Sequence, residues 1–135
     1  MDNCIFCKIV RGEIPSRKVY EDENILSFMD VAGDVDGHIL VIPKKHVVNV
    51  LDCDEETLLL VAAGVKKVAN HLVDECGYDG VNILNANNKP AGQSVFHLHF
   101  HIVPRRIGDG FSGFPVYPGA KEDIDAVHKR VTMMR

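Results

Sequence analysis

The segment at residues 94–105 reads SVFHLHFHIVPR and places three of the chain's seven histidines at every second position. His97, His99 and His101 alternate with apolar residues at positions 96, 98, 100 and 102. A period of two is typical of a β-strand with one buried face. We therefore predict a strand whose even-numbered residues face the core. The three imidazoles then line its other face, with successive Cα atoms about 6.7 Å apart, whereas a helix would distribute them around its circumference.

Three interpretations of this histidine row remain open at this point. It can be a polar strand face that happens to contain histidine. It can be a metal site, because neutral imidazole is the commonest metal ligand in proteins. It can also be a catalytic row that acts on an anionic substrate, because imidazole serves as nucleophile, base or acid near neutral pH.

Composition and length restrict the class of protein. The chain of 135 residues is long enough for one domain with a core, and its 46% apolar and 25% charged residues are typical of a soluble globular protein. The formal net charge of -4 argues against a nucleic-acid binder. The apolar run at 58–65 is too short to cross a membrane, and the first residues lack a secretory signal pattern. We expect a cytoplasmic protein whose four cysteines are thiols or metal ligands.

Hydrophobic periodicity and turn residues predict a helix, three strands, a long helix, two strands and a last helix. The predicted ranges are 3–11 for the first helix, 17–21, 25–30 and 39–42 for the first strands, about 54–75 for the long helix, 80–85 and the histidine segment for the last strands, and about 121–132 for the last helix. Seven residues of the long helix recur at three- and four-residue spacing: Leu58, Val61, Ala62, Val65, Val68, Ala69 and Leu72. Short connections between strands predict an antiparallel five-stranded sheet with packed helices, an α+β fold.

Two further motifs carry possible chemistry. Cys4 and Cys7 form a C-x2-C pair, which is either half of a zinc site completed by two histidines or two buried thiols. Gly92, Gln93 and Ser94 precede the histidine row, where amides and side chains can donate to phosphate or simply form a turn. No nucleophile-elbow pattern surrounds the serine, so a serine hydrolase is not predicted.

Beyond single motifs, the sequence resembles the histidine triad (HIT) superfamily, closest to its bacterial HIT and Hint-like branch. The resemblance rests on HLHFHIV at 97–103 and extends, in order, through CIFCKIVRGEIPSRKVYEDE, SFMD, GHILVIPKKHV, ILN and GQSVFHLHFHIVPR. It covers about residues 3–106 and implies one HIT domain over 1–135, with a variable tail at 107–135 for which we find no family pattern.

The resemblance implies a nucleotide hydrolase or transferase that acts at an α-phosphate through a nucleotidyl-histidine intermediate. His99 matches the nucleophile, His101 the histidine that contacts phosphate and leaving group, and His38 the residue that supports the catalytic imidazole. Ser94 and Gln93 match contacts to phosphate and leaving group. The remaining nucleotide-binding positions are Phe6, Ile9 and Phe28 around the base, Asp30 at the ribose, and Asn85.

The same resemblance implies a structural zinc ion on Cys4, Cys7, His46 and His97, no catalytic cofactor, and a homodimer. The expected substrate is a purine nucleoside phosphoramidate. Pro104-Arg105 also resembles the dinucleotide polyphosphate hydrolases, which gives a second candidate within the class. Two candidates from other classes are a nucleotide-binding interaction module with incidental activity and a metallohydrolase that uses His97, His99 and His101 as metal ligands.

Overall fold

The computed structural model describes residues 3–134, so positions 1, 2 and 135 of the predicted domain lie outside the described residues. The elements of the described chain follow the predicted α+β order. Their bounds are α1 Ile5–Val10, β1 Lys18–Glu21, β2 Ile25–Met29, β3 Ile39–Pro43, α2 Glu55–Asp74, β4 Gly80–Leu84, a 3-10 turn Lys89–Ala91, β5 Phe100–Arg105 and α3 Ile124–Val131. Apart from the histidine segment, each predicted range is met to within a few residues.

The five strands form one antiparallel sheet in the order β1-β2-β3-β5-β4. Strand β5 therefore lies between β3 and β4. In this register His101 is opposite Leu40 of β3 on one side and Leu84 of β4 on the other. Because side chains alternate along a strand, His101 and Val103 project from one face of the sheet and Ile102 from the other.

Helix α2 covers the Ile102 face and forms the main core. Asp54 caps the helix, with its side chain accepting a hydrogen bond from the Thr57 amide at 3.0 Å. The predicted apolar stripe is largely buried, but Ala62 is exposed, and Gly64 takes a buried position against Ile25. The buried core residues on this side are Ile25, Ile39, Val41, Val47, Val61, Val65, Val68, Leu72, Leu98 and Ile102.

Helix α1 covers part of the opposite face, above β2 and β3. Phe6 and Ile9 of α1 pack there against Phe28 and Leu40 of the sheet. The helix has only six residues, so the part of this face beside His99 and His101 stays uncovered. This open face is where the candidate site lies.

The prediction for the histidine strand was correct for its second half and wrong for its first half. Regular pairing begins at Phe100, so His97 and His99 precede β5, and Phe96 is 48% exposed although an inward position was predicted. The reason lies in β3, which ends at Pro43, a residue that has no amide hydrogen to continue the ladder. Leu98 remains in the core because its amide bonds to the Val47 carbonyl at 2.8 Å.

The tail after β5 is held at its beginning and exposed at its end. Arg105 bonds to both carboxylate oxygens of Asp109 at 2.7 Å, bonds to Asn82 of β4, and stacks over the Phe111 ring. Helix α3 forms within the predicted range, and none of its residues is buried. Among residues 3–134, no helix combines the length and apolar character needed to cross a membrane.

Candidate active site

A cavity of about 420 Å³ opens on the sheet face beside α1. It is bounded by α1, the segment before β1, the end of β2 and the histidine segment. Seven of the residues predicted to bind nucleotide line this cavity: Phe6, Ile9, Phe28, Asp30, Ser94, His99 and His101. The sequence thus identified residues from three separate parts of the chain that the fold brings to one concave surface.

His99 is held in a defined orientation at the cavity wall. Its Nδ1 lies 2.7 Å from the His97 carbonyl oxygen, and the Asn85 side chain donates to the His99 carbonyl at 3.0 Å. A carbonyl oxygen only accepts, so Nδ1 carries the proton and Nε2 of the neutral ring keeps its lone pair. Phe6 contacts the ring edge-on, with centroids 5.2 Å apart. His99 therefore has the tautomer that a nucleophile needs.

His101 belongs to a hydrogen-bonded chain that runs toward the loop before β3. Its Nδ1 lies 2.9 Å from Nε2 of His38, and Nδ1 of His38 lies 2.9 and 3.1 Å from the two carboxylate oxygens of Asp34. The carboxylate accepts the Nδ1 proton of His38, so Nε2 of His38 accepts the proton on Nδ1 of His101. This leaves Nε2 of His101 to exchange a proton with a ligand.

Burial lowers the pKa of His101, and the neighbouring His99 and His38 act in the same direction, while Asp30 and Asp34 oppose the shift. The hydrogen bond from His38 lowers the pKa of the Asp34 carboxyl, which keeps that group ionised. Asp30 lies on the other side of His38, with one carboxylate oxygen 3.6 Å from His38 Nε2 and the other accepting from the Ala32 amide at 2.8 Å.

The remaining predicted residues occupy different positions around the site. Ser94 lines the cavity. Gln93 is 4% exposed and binds neighbouring loops, since its amide nitrogen donates to the Val48 and Val95 carbonyls and its oxygen accepts from Asn49 and the Asn88 amide. Contact of Gln93 with phosphate, and of Asn85 with the nucleotide, stays a prediction, because both side chains bond to backbone carbonyls in this structure.

Beside His99, the predicted zinc ligands Cys4, Cys7, His46 and His97 converge into one cluster. The nitrogen atoms Nδ1 of His46 and His97 are 3.2 Å apart, and three of the four sulfur-to-nitrogen distances are 3.2, 3.4 and 3.5 Å. In a tetrahedral zinc site, bond lengths of about 2.3 Å to sulfur and about 2.05 Å to nitrogen place nitrogens about 3.3 Å apart and sulfur about 3.5 Å from nitrogen. The cluster therefore fits a tetrahedral ion.

The surroundings of His97 also suit a metal ligand. Its Nε2 lies 2.8 Å from the Pro43 carbonyl, which fixes the proton on Nε2 and directs the Nδ1 lone pair to the cysteines. Burial lowers the pKa of His97 to about 4, so the ring is neutral at pH 7. Burial raises the pKa of the Cys7 thiol, an effect that a bound cation would oppose.

The three rings of the row thus separate into different environments. His97 joins the cysteines, His99 bonds to a backbone carbonyl, and His101 joins His38. A metallohydrolase based on this row would require the three rings to meet at one point. In the structure they do not.

Two residues of the site were missed from the sequence. Asp34 lies in a loop without periodicity, and only its position four residues before His38 could have suggested the contact. Arg17, which precedes β1, lines the cavity. A cation just before a strand is common in any fold, so no signal in the sequence distinguishes Arg17.

Comparison with known proteins identifies related chains over most of the sequence. The family model for the HIT domain matches residues 11–108. The chain is 51% identical over 111 residues to the protein Hit of Bacillus subtilis, covering 82% of this chain and 77% of the relative. It is 38% identical over 133 residues to an adenosine 5'-monophosphoramidase of Schizosaccharomyces pombe, covering 96% of each.

The fold is shared with solved structures. A Zn-bound histidine triad family protein from Mycobacterium smegmatis superimposes with a TM-score of 0.78 at 42% identity, over 83% of this chain and 81% of that protein. The five-stranded antiparallel sheet with its helices is thus the architecture of that structure as well.

Proposed function

The chain belongs to the HIT domain family, and from that membership we propose that it is a nucleotide hydrolase that forms a nucleotidyl-histidine intermediate. The observation that carries the proposal is His99, whose Nδ1 proton is bound by the His97 carbonyl at 2.7 Å while the ring lines the cavity. Purine nucleoside phosphoramidates are the proposed substrates. The related S. pombe protein, named as an adenosine 5'-monophosphoramidase, supports this choice.

The nucleotide occupies the cavity with its base toward α1 and its phosphate toward the histidines. Phe6, Ile9 and Phe28 give the base an apolar surface, and aromatic rings in edge-to-face contact, such as Phe6 and Phe28 with centroids 5.5 Å apart, keep that surface fixed. Asp30 offers a carboxylate oxygen to the ribose hydroxyls. Ser94, which lines the cavity, is proposed to donate to the phosphate or the leaving group.

The proposed reaction has two steps that both pass through His99. In the first, Nε2 of His99 forms a bond to the α-phosphorus, the bond from phosphorus to the leaving nitrogen breaks, and His101 gives its proton to the departing amine. In the second, water attacks phosphorus, the bond to His99 breaks, and the water proton goes to His101. The products are the amine and the nucleoside monophosphate, and the enzyme regains its starting protonation.

We propose a structural zinc ion at Cys4, Cys7, His46 and His97, and no catalytic cofactor. The four ligand atoms lie within 4.8 Å of one another, and the solved M. smegmatis relative is described as Zn-bound. When bound, the ion cross-links α1 to the segment that precedes β5. These two segments carry Phe6 and the His97 carbonyl, which both contact His99. Thiolate ligands require reduced cysteines, which supports a cytoplasmic location.

A homodimer is proposed on the exposed apolar residues of α2 and β4. Leu59 of α2 is 71% exposed and Ile83 of β4 is 48% exposed. Strand β4 is also an edge of the sheet within residues 3–134. Light scattering should give twice the chain mass of 15.0 kDa, and a monomer at high concentration would contradict the proposal.

The central test is acid-quench mass spectrometry of the protein mixed with an adenosine phosphoramidate. We expect a covalent adduct of one nucleoside monophosphate that maps to the peptide containing His99. A fast second step can hide the adduct, so the quench is taken within milliseconds and repeated with a thiophosphate analogue that slows release. Turnover without an adduct in either series would contradict the covalent mechanism.

The dinucleotide polyphosphate alternative is tested by comparing turnover of diadenosine polyphosphate with that of the phosphoramidate. The feature that suggested it, Pro104-Arg105, has a structural role here, because the Arg105 guanidinium is bound to Asp109 and Asn82. We expect the phosphoramidate to be preferred. An interaction module would instead keep its biological effect after loss of His99.

A further inference from the structure

Asp34 is the carboxylate at the end of the hydrogen-bonded chain that includes His38 and His101. Both of its oxygens lie within hydrogen-bonding distance of His38 Nδ1, at 2.9 and 3.1 Å. It comes from an exposed loop, whereas His38 is buried immediately before β3. The proposed reaction does not yet assign this group any role.

The bonding order fixes the direction of proton donation through the chain. A carboxylate can only accept, so His38 donates from Nδ1 and accepts at Nε2, and His101 donates from Nδ1. A third group that orients an imidazole by accepting its proton is a general device of acid-base catalysis. Here one more imidazole lies between the carboxylate and the reacting ring.

We propose that Asp34 is a positioning residue that, through His38, holds His101 in the orientation and protonated state needed to give a proton to the leaving group. The inference rests on the proposed function and deepens it. It identifies a loop carboxylate as part of the acid side of the reaction.

The electrostatic surroundings explain why such a carboxylate is needed. Burial, His99 and His38 all lower the pKa of His101, so by themselves they favour the neutral ring, which has no second proton to give. Asp30 and Asp34 act in the opposite direction. Because Asp30 is proposed to bind ribose hydroxyls, Asp34 is the carboxylate that remains dedicated to the pair. Arg17 is a further charged group that lines the same cavity.

The main alternative for this cluster is a metal ion, since Asp30, His38 and His101 are close enough to share one. The hydrogen-bonded chain is favoured because the nitrogens of His38 and His101 are 2.9 Å apart, a hydrogen-bond distance that is shorter than the separation of about 3.3 Å in a tetrahedral zinc site. The experiment includes an arm with chelator to separate the two.

The test compares kcat/KM over pH for Asp34→Asn, Asp34→Glu, Asp36→Asn and the unchanged protein, with an adenosine phosphoramidate. Asp36 is the matched control, because it is an exposed carboxylate of the same loop, two residues away. For Asp34→Asn we expect a loss of about 3- to 10-fold near neutral pH, since Asp34 is half exposed and an acid contributes roughly 10²- to 10⁴-fold in full. The fall in activity on the alkaline side should move to lower pH by about half a unit.

Asp34→Glu should restore most of the activity and return the alkaline-side fall in kcat/KM to its original pH. Asp36→Asn should match the unchanged protein. Equal losses in Asp34→Asn and Asp36→Asn would show a general effect of loop charge and overturn the inference. Two further results would overturn the inference. One is a fall in activity on the alkaline side that stays at the same pH in Asp34→Asn, and the other is an effect of Asp34→Asn that disappears when a chelator is added.

A second readout needs no turnover and separates this inference from the proposed function. Histidine nitrogen-proton NMR on the substrate-free protein should show a low pKa for His101 that falls further in Asp34→Asn and is unchanged in Asp36→Asn. If the protein hydrolyses no phosphoramidate yet shows this shift, the proposed reaction fails while the chain from Asp34 to His101 stands. An unchanged His101 titration in Asp34→Asn overturns the inference whatever the activity.

Discussion

Two histidine clusters lie side by side on one face of the sheet, and they differ in their partners. The cluster of His97 and His46 is completed by two cysteine sulfurs, and the cluster of His101 and His38 is completed by carboxylates. Sulfur donors and a nitrogen separation of 3.2 Å suit a cation held at the centre, whereas a separation of 2.9 Å suits a shared proton. The same side chain is thus directed to two kinds of chemistry by the atoms around it.

His99 lies between these clusters and is expected to carry the largest effect. His99→Ala should reduce turnover of an adenosine phosphoramidate by at least about 10³-fold, because the covalent route is removed. Zinc content, measured by elemental analysis, should stay unchanged. His128→Ala, an exposed histidine of α3, is the control and should retain full activity. Near-normal turnover in His99→Ala would remove the basis for the proposed mechanism.

Cys7→Ser tests the cluster with sulfur donors. We expect loss of the metal and a decrease of about 3 kcal/mol in the free energy of unfolding, measured in urea, because the link between α1 and the histidine segment is lost. A chelator should destabilise the unchanged protein and have no further effect on Cys7→Ser. Cys76→Ser changes an exposed thiol outside the cluster and should bind metal normally. Full stability of metal-free protein would contradict a structural role.

Gly37→Ala tests the cluster with carboxylate partners through its backbone. Gly37 has φ +81°, and an added Cβ would lie 2.9 Å from Pro104 Cγ, so both strain and a clash arise beside His38. We expect about 2–3 kcal/mol of destabilisation, with reduced activity and unchanged zinc content. Gly33→Ala is the matched control, with φ +71° and open space around the added carbon, and should cost about 1 kcal/mol. Equal effects of the two changes would show that the clash is unimportant.

The smallest predicted effect is the pH dependence that His101 contributes to stability. Burial lowers its pKa in the folded protein below the value of about 6.5 in the unfolded chain. The unfolded state therefore binds more protons, and this contribution is present above pH of about 6.5 and lost as pH falls toward the folded pKa. Urea unfolding at several pH values should show a shallower acid-side decline in His101→Gln. If the two proteins lose stability identically as pH falls, groups other than His101 cause the decline.

Much of the fold could be predicted because its signals are local. The apolar stripe of α2 lies within one segment, and periodicity is enough to detect it. The beginning of β5 could not be predicted in this way, because it depends on Pro43 in a strand that is distant in sequence. Alternation continues through Leu98 even where regular pairing has stopped.

The candidate site divides in the same way between patterned and unpatterned residues. The histidine row and the cysteine pair have spacings that restrict the possible chemistry, and in the structure His97 lies with the cysteines while His99 and His101 line the cavity. Asp34 and Arg17 belong to no pattern, since loops reach their partners through turns that simple periodicity does not describe. Gln93 illustrates the reverse case, in which a residue of a motif uses its polar atoms to hold neighbouring loops.

The shortness of helix α1 has a consequence for ligand affinity. A helix of six residues is too short to persist in isolation, because nucleation is unfavourable and few backbone bonds follow it. Phe6 nevertheless contacts Phe28, His97 and His99 from this helix. The proposed zinc ion, held by Cys4 at the start of α1 and Cys7 within it, would order this helix before a ligand arrives. A protein with the ion bound should therefore bind its ligand more tightly than one in which the helix must first be ordered.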